Sequence, residues 1–250
     1  MLAGRRAQVW RHEPAFRRPR HFHREPEINL LVRGRCVLGI GDRSVSLSRG
    51  QSLFFEPGQD HELLEASDDL ELFVLALSPE LAERAFGARP SCSIPEGDPP
   101  RMVSSMHAEL AGLAHVSDVA TAERRLAELF VRAVDGAPKA HVRSHRALAS
   151  LRVERDVSEA TLARRLGVDP SELSRRFRAD LGVTLVEYRA RLRLMRFVEL
   201  VDRGISMTRA ALDADFGSYA QCHRVFRRVF GCAPTDYFQG ARHELDWATV

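Results

Sequence analysis

The stretch "FRRVFGCAPTDY", Phe226 to Tyr237, decides how the chain is read, because it has a partner upstream. That partner is "FRADLGVTLVEY", Phe177 to Tyr188, and both follow F-R-x-x-x-G-x-x-x-x-x-Y at a constant offset of 49 residues. An internal repeat exposes the building unit of a fold. Two copies are too few for a solenoid and enough for a pair of matched modules.

Upstream of the first copy, "SEATLARRLGVDPSELSRRFRADLG" has the grammar of a helix, a tight turn and a second helix. Leu162 and Leu166 share a face of the first helix, and Gly167 permits the turn. Asp169 caps the second helix, where Pro170 loses only an N–H that would be unpaired at that position. Leu173 and Phe177 then face inward, while Ser171, Ser174, Arg175 and Arg178 form a separate polar stripe. In the second copy, "SMTRAALDADFGSYAQCHRVFRRVFG", Ser218 caps a helix with a buried stripe of Cys222, Phe226 and Phe230. Tyr219, Ala220, His223, Arg224 and Arg227 lie away from that stripe. A helix-turn-helix places its second helix in the major groove of DNA. The competing reading is an ordinary helical hairpin with solvated arginines. The intervening "TLVEYRARLRLMRFVELVDRG" reads as one amphipathic helix of roughly 30 Å. A spacer of that length can present two reading helices to successive major-groove segments, roughly 34 Å apart.

Charge follows the repeat. Residues 141–240 hold 18 arginines against 12 acids, whereas residues 1–140 are net acidic. This coincidence points to nucleic acid. The 250 residues, 44% hydrophobic and 28% charged, suit a two-domain globular protein. No apolar run has the length of a membrane span, and the charged N-terminal stretch does not read as a secretory signal. Cys36, Cys92, Cys222 and Cys232 form no C-x-x-C pair, so they are expected to be reduced packing residues in a cytoplasmic protein.

Residues 21 to about 80 read as short strands: "INLLVRG", "CVLGIGDRSVSL", "QSLFFEPG" and "LELFVLAL". A Gly-Asp turn at Gly41–Asp42 marks a hairpin. "GARPSCSIPEGDPP" is a connector, followed by helical periodicity in "MVSSMHAELAGLAHV" and "ATAERRLAELFVRAV". A β-rich first part and an all-helical second part mean separate domains.

"LARRLGVDPSELSRRFRADLGVTLVEYRARLRLMRFVELV" together with "FRRVFGCAPTDYF" resembles the AraC/XylS family of bacterial transcription regulators over residues 141–243. The resemblance implies a seven-helix double helix-turn-helix domain acting at promoter DNA. By position it implies base contacts from Ser171, Ser174 and Arg175 in one groove and from Tyr219, Ala220, His223 and Arg224 in the next. Arg178, a turn further from the helix start, is expected at a phosphate, and Arg227 is also expected to contact DNA. The chain departs from the family pattern at Asp215, usually Gly, and at Ala220 and Cys222.

"HFHREPEINLLVRG" and "GQSLFFEPGQDH" are similar to the two motifs of the cupin superfamily, which implies a jelly-roll β-barrel sensor over residues 1–100. His21, His23 and Glu27 share parity in an extended strand, and a turn at "EPGQDH" would bring His61 beside them. Three readings stay open: a divalent metal (Zn, Fe, Ni or Mn), a metal-free pocket for a small-molecule effector, or structural histidines. Residues 101–140 are expected to form a helical connector that serves either as a homodimer surface or simply as packing on the barrel. The expected protein is an effector-controlled, sequence-specific regulator with promoter DNA and RNA polymerase as partners and no catalytic residues. The alternatives are a metal-dependent cupin enzyme with a helical tail, and a non-specific DNA-binding protein.

Overall fold

The computed structural model describes residues 6–12, 20–86, 91–101, 105–113, 118–154 and 157–241. Seven strands lie in two sheets. They are β1 (Ala7–Arg11), β2 (Glu27–Arg33), β3 (Arg35–Ile40), β4 (Arg43–Ser48), β5 (Ser52–Phe55), β6 (His61–Ala66) and β7 (Glu71–Leu77). One sheet has the order β1-β7-β2-β5 and the other β4-β3-β6, with antiparallel pairing throughout. The expected closed barrel is therefore corrected to two facing sheets. Their inner faces share one apolar core, in which Leu31, Leu53, Phe55 and Leu72 of the first meet Cys36, Leu38, Ile40 and Leu47 of the second. That burial is satisfied by face-to-face packing, so closure of the hydrogen-bonded edges is not needed.

Two strands lie outside the four segments singled out in the sequence, one of them within the region read as strands. β6 is built from "HELLEA", whose residues favour helix, and is extended because it pairs with β3 from Cys36 to Ile40. β1 falls in a stretch assigned no structure and pairs with β7 along its whole length. The β3–β4 hairpin turns at Gly41, as expected, with φ of 58°.

The outer face of the four-stranded sheet is covered by helices α1 (Pro79–Phe86), α2 (Ser105–Leu113) and α3 (Val119–Gly136). Ile28, Leu30, Leu75 and Leu77 pack there against Met106, Leu110, Leu129 and Phe130. Asp118 caps α3 by accepting from the Thr121 amide at 2.8 Å.

The rest of the described chain contains seven α-helices, the last continued by a π-helical turn over Tyr237–Ala241: α4 (Val142–Val153), α5 (Glu159–Leu166), α6 (Pro170–Leu181), α7 (Leu185–Asp202), α8 (Met207–Asp213), α9 (Tyr219–Phe230) and α10 (Pro234–Asp236). They enclose two separate cores. Leu162, Leu173, Phe177 and Tyr188 belong to one, and Leu194, Phe197, Ala211, Cys222 and Phe226 to the other. The 18-residue helix α7 serves both cores and starts with a capping box between Thr184 and Glu187. Burial pushes the thiols of Cys36, Cys92 and Cys222 up to about 12, which suits packing residues rather than nucleophiles. No helix among the described residues is long and apolar enough to cross a membrane. The expected domain end at 243 lies outside the described residues.

Candidate ligand site and nucleic-acid interface

Helices α5 and α6 form as their sequence dictates. Gly167 closes α5 in the left-handed region at φ 65°, where a Cβ would be strained. Asp169 then accepts from the amides of Ser171 and Glu172 at 2.8 and 3.3 Å, with Pro170 in the first turn. Leu173 and Phe177 are buried, while Ser171, Arg175 and Arg178 are exposed and Ser174 is half-buried. In the second module the same turn is made by Asp215 at φ 63°, the sole non-glycine residue with positive φ among those described. Ser218 caps α9 through the Gln221 amide at 3.1 Å. Ala220, Arg224 and Arg227 are exposed, and Tyr219 and His223 are half-buried. Each module thus presents one basic face and buries the other.

Arg178 is already engaged. Its guanidinium pairs with Asp42 in the β3–β4 turn, Nε lying 3.1 Å from Oδ2. The end of α6 is held by the sheet domain as well. The last four carbonyls of a helix have no partner within it. Here the Gly182 amide donates to Arg178 O, Arg43 Nη1 to Ala179 O, the Ile94 amide to Asp180 O and Gln59 Nε2 to Leu181 O, each at 2.8 Å. Gly41 and Gly182 meet backbone to backbone, and a Cβ on Gly41 would lie 1.8 Å from Gly182 O.

The histidine cluster sits along the same seam. His21 and His61 are joined by reciprocal backbone hydrogen bonds of 3.1 and 2.9 Å. His21, His23 and His61 each offer a ring nitrogen within 4.8 Å of the others. Glu27, 3% exposed, reaches His23 Nε2 with Oε2 at 3.1 Å and His61 Nε2 with Oε1 at 3.3 Å. Burial alone would push the Glu27 carboxyl up, but the imidazoles of His61 and His23 outweigh it and hold the group well below the usual carboxylate range. Asn29 Nδ2 also donates to Glu27 Oε1, at 2.6 Å. All four residues singled out in the sequence are brought together.

The backbone fixes two of the rings. His23 Nδ1 lies 2.8 Å from Glu25 O, and His61 Nδ1 lies 3.1 Å from Gln59 O. A carbonyl oxygen only accepts, so both Nδ1 atoms carry the hydrogen. The Nε2 atom of each ring faces a carboxylate oxygen of Glu27. His61 Nε2 is buried and makes no hydrogen bond despite the nearby Glu27 Oε1.

Several residues at the seam were not anticipated. Phe22 is buried with the second-module core and stacks on Phe230 at 5.1 Å. Asp60 accepts from Arg191 Nη1 at 2.6 Å and Arg20 Nη1 at 2.8 Å. The signal available in the sequence was an apolar residue between two site histidines, which needs a second buried face.

A family model described as "AraC-like ligand binding domain" matches residues 9–154, more than half of the chain. The chain belongs to the AraC family. A second model, "Helix-turn-helix domain", matches residues 162–240 of this AraC-family protein. It is a DNA-binding transcription regulator with a ligand-binding domain. A search of curated proteins found no match. Among solved structures, ToxT from Vibrio cholerae bound to an unsaturated fatty acid aligns with 92% of this chain and 93% of its own, at 14% identity and a TM-score of 0.56. Another ToxT crystal form aligns with 92% of this chain and 96% of its own, at 12% identity and a TM-score of 0.54. At such identity the likeness is one of fold, and it spans both domains.

Proposed function

We propose that this regulator reads promoter DNA with α6 and α9 and is controlled by a divalent cation bound by His21, His23, Glu27 and His61. The observation that carries the cation is the convergence of three imidazoles, with ring nitrogens within 4.8 Å of one another, on the buried carboxylate of Glu27. Histidines that ligate a metal commonly donate the other ring N–H to a backbone carbonyl, as His23 and His61 do. Three imidazoles and one carboxylate suit Zn, Fe, Ni or Mn.

The DNA reading assigns Ser171, Ser174 and Arg175 to base edges in one groove, and Tyr219, Ala220, His223 and Arg224 to the next. Arg178 and Arg227 meet phosphates, so Arg178 exchanges Asp42 for DNA. The protein acts in the cytoplasm without turning over a substrate, as a homodimer that meets RNA polymerase at the promoter. The dimer contact is assigned to the helices of the sheet domain, where a groove of about 820 Å³ between α1 and α3 has Leu81, Ala127 and Val131 along it and charges of both signs at its rim. A second reading of the sensor site draws on ToxT, whose structure with an unsaturated fatty acid shows an organic ligand in a related fold.

Metal analysis of the purified full chain separates the two. A cation site gives near-stoichiometric metal, which His23→Ala removes, and chelation lowers the melting temperature because the ligand favours the folded state. Substoichiometric metal with an unchanged melting temperature would favour the organic effector. Selection of duplexes from a random library tests the DNA reading and should return sites with two specified segments.

A further inference from the structure

The imidazoles share their two short segments with the residues that hold the DNA-reading domain. In the first segment, His21 and His23 face the cluster with ring centroids 5.7 Å apart. Phe22, between them, is buried among the second-module residues Leu194, Phe197 and Phe226. Arg24 pairs with Glu199 of α7 at 2.8 Å. In the second segment, three consecutive residues, each no more than 5% exposed, face three different places. Gln59 donates to the last carbonyl of α6, Asp60 holds Arg191 of α7, and His61 belongs to the cluster. The His61 ring is pinned through Nδ1 to the carbonyl of Gln59. Backbone hydrogen bonds between His21 and His61 join the segments.

We propose that these paired segments, Arg20–Arg24 and Gln59–His61, couple the occupancy of the imidazole site to both DNA-reading modules. This rests on the reading of the cluster as a ligand site and adds the route of its regulation. A ligand that draws His61 towards its partners turns the peptide of Gln59, whose side chain holds the end of α6. The same ligand acting on His21 and His23 moves Phe22, which plugs the second core. A ligand shifts an equilibrium only through unequal affinity for its states, and these contacts are what differ between a seated and a released module.

Hydrogen exchange of the full chain, with and without one equivalent of zinc, tests the coupling. Zinc should raise protection at least tenfold in the last turn of α6, around Arg191 and in α9. Gln59→Ala should bind zinc equally and lose the rise in α6, while Phe22→Ala should lose the corresponding rise in α9. Protection confined to residues 20–27 and 55–66, or rises that survive both substitutions, would overturn the proposal. If zinc does not bind, the cation reading fails by itself, and the coupling is then read from His61→Ala. That change should alter exchange at the end of α6 in the parent but not in Gln59→Ala, and no transmission in the parent sinks the coupling. Should His61→Ala not fold, the half-buried His21→Ala perturbs the same pair.

Discussion

The two helix-turn-helix modules share a sequence pattern and differ in how the sheet domain holds them. The first is gripped by polar groups: Arg43, Gln59 and the Ile94 amide complete the end of α6, and Asp42 takes Arg178. The second is held chiefly by an apolar side chain, Phe22, stacked on Phe230, with the Arg24–Glu199 ion pair beside it. Polar caps depend on direction and break over a short displacement, whereas an apolar plug tolerates sliding. A duplicated module therefore need not give a duplicated response, and α6 is the one whose seating the sensor specifies in detail.

The largest expected effect tests whether the modules are equivalent inside. Phe177 and Phe226 are both 0% exposed and occupy the same position in the repeat. Each should cost roughly 3–5 kcal/mol on substitution by alanine. Urea unfolding of the full chain, with exchange used to localise the loss, should show Phe177→Ala opening α5–α6 and Phe226→Ala opening α8–α9. Losses spread equally over both cores would mean that α7 welds them into one cooperative unit.

Reading strength should be unequal. Arg175→Ala should relax preference at one base position and cost roughly 1–3 kcal/mol of binding if it contacts guanine. Arg178→Ala should weaken all sequences evenly and flatten the salt slope by about one unit. A base-substitution scan should give larger losses in the segment read by α6, because α9 carries Ala220 at a reading position. Equal losses in both segments would break the comparison.

The smallest effects concern the turns. Gly167→Ala should destabilise by roughly 1–2 kcal/mol, since its backbone is left-handed although the space around it is open. Asp215→Gly should stabilise by about 0.5 kcal/mol, because strain is relieved at some cost in unfolded-state entropy. Thermal melts of the two variants read both signs, and a stabilising Gly167→Ala would contradict the turn geometry.

Local signals made the helical half legible. Gly167, Asp169, Pro170 and Ser218 each act within a few residues of their own position, and each does in the fold what its chemistry suggests. The four site residues were legible for a similar reason, since short spacing and one turn suffice to bring them together. The sheet domain was less so. "HELLEA" has no local reason to be a strand, and β1 is a strand only because β7 offers it an edge. Asp60–Arg191 was hidden because its partners are 131 residues apart and nothing local to either announces the other.

The contact of Gly41 with Gly182 has a consequence for how freely such proteins can be recombined. Fusing this DNA-binding half to another sensor preserves both hydrophobic cores but brings a new turn against the C-terminus of α6. Any side chain at the position of Gly41 would stand where the Gly182 carbonyl now lies. A chimera made without regard to that turn should fold as two domains that answer to nothing, and one that transplants residues 40–43 with Gln59 should recover communication between its halves.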